Sequence, residues 1–360
     1  MIRDKRIGLL QKTPSAMMLP GKERIVTLFT MLGLFFTVNL GPLPLQAQMT
    51  SDSFNPVSGR LVTVSGILPA DVFSRTVLLK KELEEIRIEM GKPKDEWVGG
   101  IASNASPHEV YFQALNLFLK ANRLSLELTG SMGRQPDIRP ASDIRPYHIW
   151  MMVNEAYKRI LVIKQELGIS GSNVEMLKES PTTITEAGGV IVAVNRQINL
   201  VLERPFTPAD VVHQVNLAIQ YAADLLKQFP GTSPIPDTPP FERGKQPGEA
   251  FLRLVDCFER LESIAQLSDV SVLHFDRTAV NKAVNHYDFH PSDVYDMATL
   301  LVSDLALLHA KINNLDSPAT VPYPSGHIFP SHVYQQAGIL YAQLVELEER
   351  VRKDPNWLNN

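Results

Sequence analysis

The chain has 360 residues, 44% of them hydrophobic and 21% charged, with a formal net charge of −4. That composition is globular and excludes an intrinsically disordered polypeptide. One cysteine, Cys257, excludes an internal disulfide framework, so stability must come from packing.

The N-terminus reads as a targeting segment. Residues 25–40, IVTLFTMLGLFFTVNL, are apolar and uncharged, and Lys22 and Arg24 stand before them. Gly41-Pro42 then breaks the run, and Leu45-Gln46-Ala47 supplies a small residue before a cut. This is the n-region, h-region and cleavage order of a signal peptide, covering residues 1–47 with the cut after Ala47. The segment before the h-region is long, which points to Met17 or Met18 as the true start. The alternative is an uncleaved inner-membrane anchor, but sixteen apolar residues fall short of the ~20 a span needs. Removal of residues 1–47 leaves 29 basic and 37 acidic residues, a net charge of −8. An acidic mature chain argues against nucleic acid, and against a membrane partner unless the N-terminal segment stays attached. The expected location is periplasmic or secreted, in a bacterial envelope.

Residues 48–65 read as an extended N-terminal segment, in which Arg60–Ser65 has strand character. From residue 66 to 354 one signal dominates: internal repetition. LPADVF, SPHEVY, RPYHIW, TPADVV, QPGEAF, HPSDVY and FPSHVY each open a helix-like run, at Pro69, Pro107, Pro146, Pro208, Pro247, Pro291 and Pro330. A weaker eighth copy begins at Pro181. Successive prolines lie 38, 39, 35, 27, 39, 44 and 39 residues apart. Proline at the first helical position loses no hydrogen bond and presets φ. Two residues on comes Asp71, Glu109, Asp210, Glu249 or Asp293, each facing the positive end of the helix dipole. Ser106 with Glu109 reads as a capping box, and Thr207 with Asp210 as a near match.

Apolar residues then recur three, seven, ten, fourteen and seventeen positions after each proline, as in Val333, Ala337, Leu340, Leu344 and Leu347. A second apolar line widens the stripe, which suits a multi-helix core and not a two-stranded coiled coil. The fold class expected is therefore all-α: about eight long amphipathic helices in a repeat array or bundle, joined by proline-rich linkers. The Pro181 copy, with Gly188-Gly189 inside it, is expected to be broken or closely packed. Linkers 131–145, 230–246 and 314–329 hold clustered prolines. About 15 extended residues reach ~45 Å, more than the ~33 Å of a 22-residue helix, so parallel neighbours are feasible. Antiparallel neighbours stay equally open. Val270–Phe275 has some strand character, and residues 355–360 read as a tail.

No nucleophile elbow, phosphate loop, dinucleotide fingerprint, haem-attachment pair or zinc spacing is present, and no cofactor is implied. Three sets of residues stand out. The aromatics four positions after the prolines, Phe73, Tyr111, Trp150, Phe251, Tyr295 and Tyr334, would form a binding ladder if they faced one side; otherwise they pack on neighbouring helix starts and on the linkers. His286, Asp288 and His290, with Asp293, are the linear metal candidates, although His290 and Asp293 also suit a helix cap. Cys257 lies on an apolar stripe and reads as a small buried hydrophobe. His108, His148 and His332 lie in first helical turns, where exposed polar residues are common. Three function classes follow: a non-enzymatic binding or scaffold module for an envelope protein or polymer, a periplasmic sensor or carrier of a small apolar ligand between helices, and a metal-dependent enzyme built on His286, Asp288 and His290.

Overall fold

The computed structural model describes residues 53–55, 60–62, 66–94, 102–103, 105–136, 143–170, 182–312 and 318–359. The expected signal segment, residues 1–47, lies outside them. The described residues fall within one compact unit, Gly41–Asn360. Among them, no helix is long and apolar enough to cross a membrane.

The protein is all-α. Eight long helices carry it: α1 (Pro69–Glu89), α2 (Pro107–Thr129), α3 (Pro146–Glu166), α4 (Ile184–Val201), α5 (Pro208–Leu226), α6 (Pro247–Leu267), α8 (Pro291–Lys311) and α9 (Pro330–Lys353). A shorter α7 (Arg277–His286) fills the widest spacing between prolines and packs on α6. Among the described residues, strand is confined to two short antiparallel pairs. β1 (Ser53–Asn55) pairs with β2 (Arg60–Val62), and β3 (Ala102–Ser103) with β4 (His274–Phe275). The expected strand at 270–275 thus shrinks to its last two residues.

Seven of the long helices start at the predicted proline, and the eighth corrects the reading. Its first residue is Ile184, not Pro181, with Thr183 as the cap. Counted from Ile184, the stripe falls on Ala187, Ile191, Val194, Ile198 and Val201, all buried. The helix is continuous, so its glycines do not break it. Gly188 instead lets α4 approach α2: a Cβ there would lie 2.9 Å from Val110 Cγ2. The equivalent stripe positions of all eight helices are buried. Thr76, the one hydroxyl among them, donates to Val72 O at 2.8 Å.

The eight long helices are closed at their starts in the same way, whereas Asp276 caps α7 with its own side chain, accepting from Thr278 N and Ala279 N. The side chain two residues after N1 accepts the N–H of the cap residue, at 2.5–3.1 Å. In six helices the acceptor is a carboxylate. In α3 and α9 it is Nδ1 of His148 and His332, so these imidazoles are helix caps. The reciprocal half of the capping box forms at Thr183 and Thr207, but not at Ser106.

Helix neighbours are parallel. Pro208, Pro247, Pro291 and Pro330 meet at one end of a bundle, with Val211, Ala250, Val294 and Val333 one turn below. In this bundle α5 packs on α8 and α9, and α6 packs on the same two. A second bundle repeats that plan: α1 packs on α3 and α4, and α2 on α3 and α4. Side-chain pairs repeat with it. Arg75 lies over Trp150 in the first bundle, and Gln214 donates to the Tyr295 hydroxyl at the equivalent positions of the second. Likewise the Lys164–Glu82 ion pair is replaced by the edge-on His309–Tyr221 pair. The described long helices thus form two four-helix bundles of the same plan, α1–α4 and α5, α6, α8, α9.

Linker 230–246 makes the parallel order of its helices possible by returning along a neighbouring helix. Gly231 O accepts from Arg350, Pro234 O from Gln343 and Pro239 O from Gln335, so linker 230–246 runs antiparallel to α9. Gly338 leaves room for it, since a Cβ there would meet Pro239 Cγ at 2.9 Å. The C-terminal residues also join the core and do not form a free tail: Trp357 is buried against Phe229 and donates to Ser268 Oγ at 2.9 Å.

The two adjacent glycines of α4 give opposite expectations. Gly188→Ala should lower stability by ~1–3 kcal/mol through the clash with Val110. Gly189→Ala, with nothing within 4 Å of its Cβ, should raise it by ~0.5–1 kcal/mol. Chemical denaturation of the two variants checks this, and equal shifts of the same sign would refute the α2–α4 packing.

Candidate functional site

The two bundles dock through α2 and α8, and the polar side chains of the protein concentrate there. On α2, His108, Phe112, Asn116 and Lys120 recur every four residues and share one face. His108 Nε2 lies 2.7 Å from Asp304 Oδ1. About two turns toward the start of α8, Asp296 Oδ1 accepts from Asn116 Nδ2 at 2.7 Å and Lys120 Nζ at 2.6 Å. Asn199 of α4 donates to the other Asp296 oxygen at 3.2 Å, and Arg196 pairs with Asp293 at 2.5 Å. The start of α2 meets the end of α8, so the two parallel bundles oppose each other in direction. Phe206, just before α5, stacks on Tyr295 at 4.2 Å between them.

Lys120 shows how the seam handles charge. Its side chain is fully buried, which alone disfavours the ammonium, and Asp296 supplies the counter-charge that holds it. The other end of the seam lacks such compensation. His108, Glu109 and Asp304 are buried together, with one ligating atom from each within 4.8 Å of the others. Glu109 Oε2 accepts from Ser106 N at 2.5 Å and Oε1 accepts from Leu273 N. Asp304 Oδ2 has no hydrogen-bond partner. Burial pushes the Glu109 carboxyl up to about 8, with the nearby Asp304 adding to the effect. It raises Asp304 well above the usual carboxylate range and lowers His108. His108 is therefore not the exposed first-turn residue that its position suggests.

The residues singled out in the sequence lie elsewhere. His286, Asp288 and His290 are exposed, and among the described residues they form no group of converging ligands. Asp293 accepts the His290 N–H as a helix cap. Of the aromatic set, Tyr111, Trp150 and Phe251 are buried, whereas Phe73, Tyr295 and Tyr334 are partly buried. Their partners belong to neighbouring helices and linkers: Phe251 packs on Phe289 at 4.6 Å, and Tyr334 lies under Lys245 Nζ at 4.2 Å. Cys257 is buried, donates to Ala337 O, and burial pushes its thiol up. Large aromatics do stand exposed around the start of the second bundle: Phe241, Tyr323 and Phe329. Tyr323 donates to Asp210 at 3.1 Å, and Phe241 and Phe329 flank His332.

The buried cluster had one signal in the sequence, a lone aspartate inside the apolar run LLVSDLALL of α8. Nothing in the sequence says that this residue meets His108. No family model, curated protein or solved structure matches this chain.

Glu109 and Asp304 bind protons more tightly folded than unfolded, so their contribution to stability falls as pH rises from about 4.5 toward 8. His108 acts oppositely, and only below its ordinary range. Asp304→Asn should therefore gain stability relative to the wild type as pH goes from 5 to 8. Paired thermal melts in chelator-containing buffer test this, and a difference independent of pH would contradict the buried-acid account.

Proposed function

We propose that this protein is a non-enzymatic binding or scaffold module, exported to the cell envelope, that engages another protein or an envelope polymer. The observation that carries the reading is a filled interior beside an exposed aromatic rim. The stripe positions of both bundles are occupied by their own side chains, and the cavity between Pro208, Pro247, Pro291 and Pro330 has room for about one water. That leaves little space for the small apolar ligand of a carrier, which calls for several hundred Å³.

The rim lies around the start of the second bundle, where Phe241, Tyr323 and Phe329 expose roughly half of their surface. Exposed aromatic rings beside prolines are typical of surfaces that hold proteins, because they bury large area with few rotatable bonds. Export rests on the sequence of residues 25–47 and on the net negative charge of the remainder.

Native mass spectrometry of the full-length protein from its own cells tests the reading. The expected result is a chain free of small organic adducts, beginning near residue 48 and partly associated with a macromolecule. Phe241→Ser/Tyr323→Ser/Phe329→Ser should abolish that association with little change in melting temperature. A small organic adduct that is lost on denaturation would overturn the module reading in favour of a carrier.

A further inference from the structure

The cluster at the bundle seam has the chemistry of a closed metal site. We propose that His108, Glu109 and Asp304 bind a single divalent transition-metal ion, with Zn2+ the best match, and that this ion joins the two bundles. The inference is independent of the binding partner discussed above.

Charge makes the first argument. Two carboxylates and a histidine are buried in one place, and none of the ion pairs described there brings a lysine or arginine to either acid. Buried carboxylates without a counter-charge are strongly unfavourable, and the groups must take up protons or a cation. A divalent ion with two carboxylates and one neutral imidazole gives a net charge of zero. Lys120, at the other end of the same seam, supplies that counter-charge to Asp296. No such side chain serves Asp304.

Geometry makes the second. One atom from each group lies within 4.8 Å of the others, and a tetrahedral ion holds its ligands about 3.3 Å apart. Asp304 Oδ2 is fully buried and without a hydrogen-bond partner, so this carboxylate has an oxygen with no other group to hold it. Glu109 is already held for the task, since both its oxygens accept backbone N–H groups, from Ser106 and Leu273. A mixed imidazole and carboxylate set suits zinc and its neighbours and not the all-oxygen cages of Ca2+ or Mg2+. The donors come from both bundles, so binding would stabilise the docked state.

The test is titration of Zn2+ into the full chain stripped of metal, followed by calorimetry and by thermal melting. The expected result is one ion per chain and a rise in melting temperature. His108→Gln and Asp304→Asn should each weaken binding by about 100-fold or more. Asp304→Asn removes a buried charge and should fold without metal, so loss of binding in it reports the site and not misfolding. The double variant His286→Ala/His290→Ala should bind as the wild type does. No saturable binding, or binding that survives both seam substitutions, would overturn the proposal. Loss of binding in the His286/His290 variant would also overturn it, by placing the ion at the surface.

Discussion

The parallel alignment of helices within each bundle governs the rest of this structure. A chain that starts the helices of one bundle at the same end must return to that end each time, through a long extended segment or, between α6 and α8, through a connection that contains α7. The proline-rich linkers have that reach and stiffness. Linker 230–246 runs back along α9 through Gly231, Pro234 and Pro239, and the glycine at 338 leaves the groove it needs. Four aligned helix dipoles repel one another at their ends. The first-turn acceptors answer this locally: six carboxylates and two imidazole nitrogens close the eight starts. Docking the two bundles in opposite directions offsets the remainder.

The shared plan of the two bundles explains why the helix pairs recur while the seam does not. Trp150 and Tyr295 hold equivalent positions and meet equivalent partners, Arg75 and Gln214. The seam joins non-equivalent helices, the second of one bundle and the third of the other, so no symmetry repeats it. That is where buried ionisable groups are retained. Apolar packing alone would dock two bundles with fewer constraints. The ordered series His108–Asp304, Asn116–Asp296 and Lys120–Asp296 fixes direction and register as well.

Much of the fold was legible because burial here follows a single helical period. The stripe three, seven, ten, fourteen and seventeen residues after N1 is set by local geometry, and it identified core residues in the seven helices that start at their predicted proline. What failed were places where proline misled or was missing. Pro181 resembles a start, but the helix begins at Ile184, where Thr183 and Glu186 supply the cap instead. Helix α7 was hidden in the longest spacing, because its ten residues are mostly polar. Helix direction and the α2–α8 seam were out of reach, since both depend on which bundle faces which. His108 looked like an ordinary first-turn residue, and only its meeting with Asp304 changes its meaning. The linear cluster around His286 attracted attention because its residues are neighbours in sequence. The structure leaves those side chains exposed.

The parallel order of the helices is the central claim, and electron paramagnetic resonance tests it most directly. Spin labels at Gln246→Cys and His290→Cys mark the caps of α6 and α8, in a background where buried Cys257 is replaced by Ala. Parallel packing predicts backbones about 10 Å apart at the labelled ends and strong dipolar broadening between the labels. A separation of ~30 Å, the length of the helices, would mean antiparallel neighbours and would contradict the account.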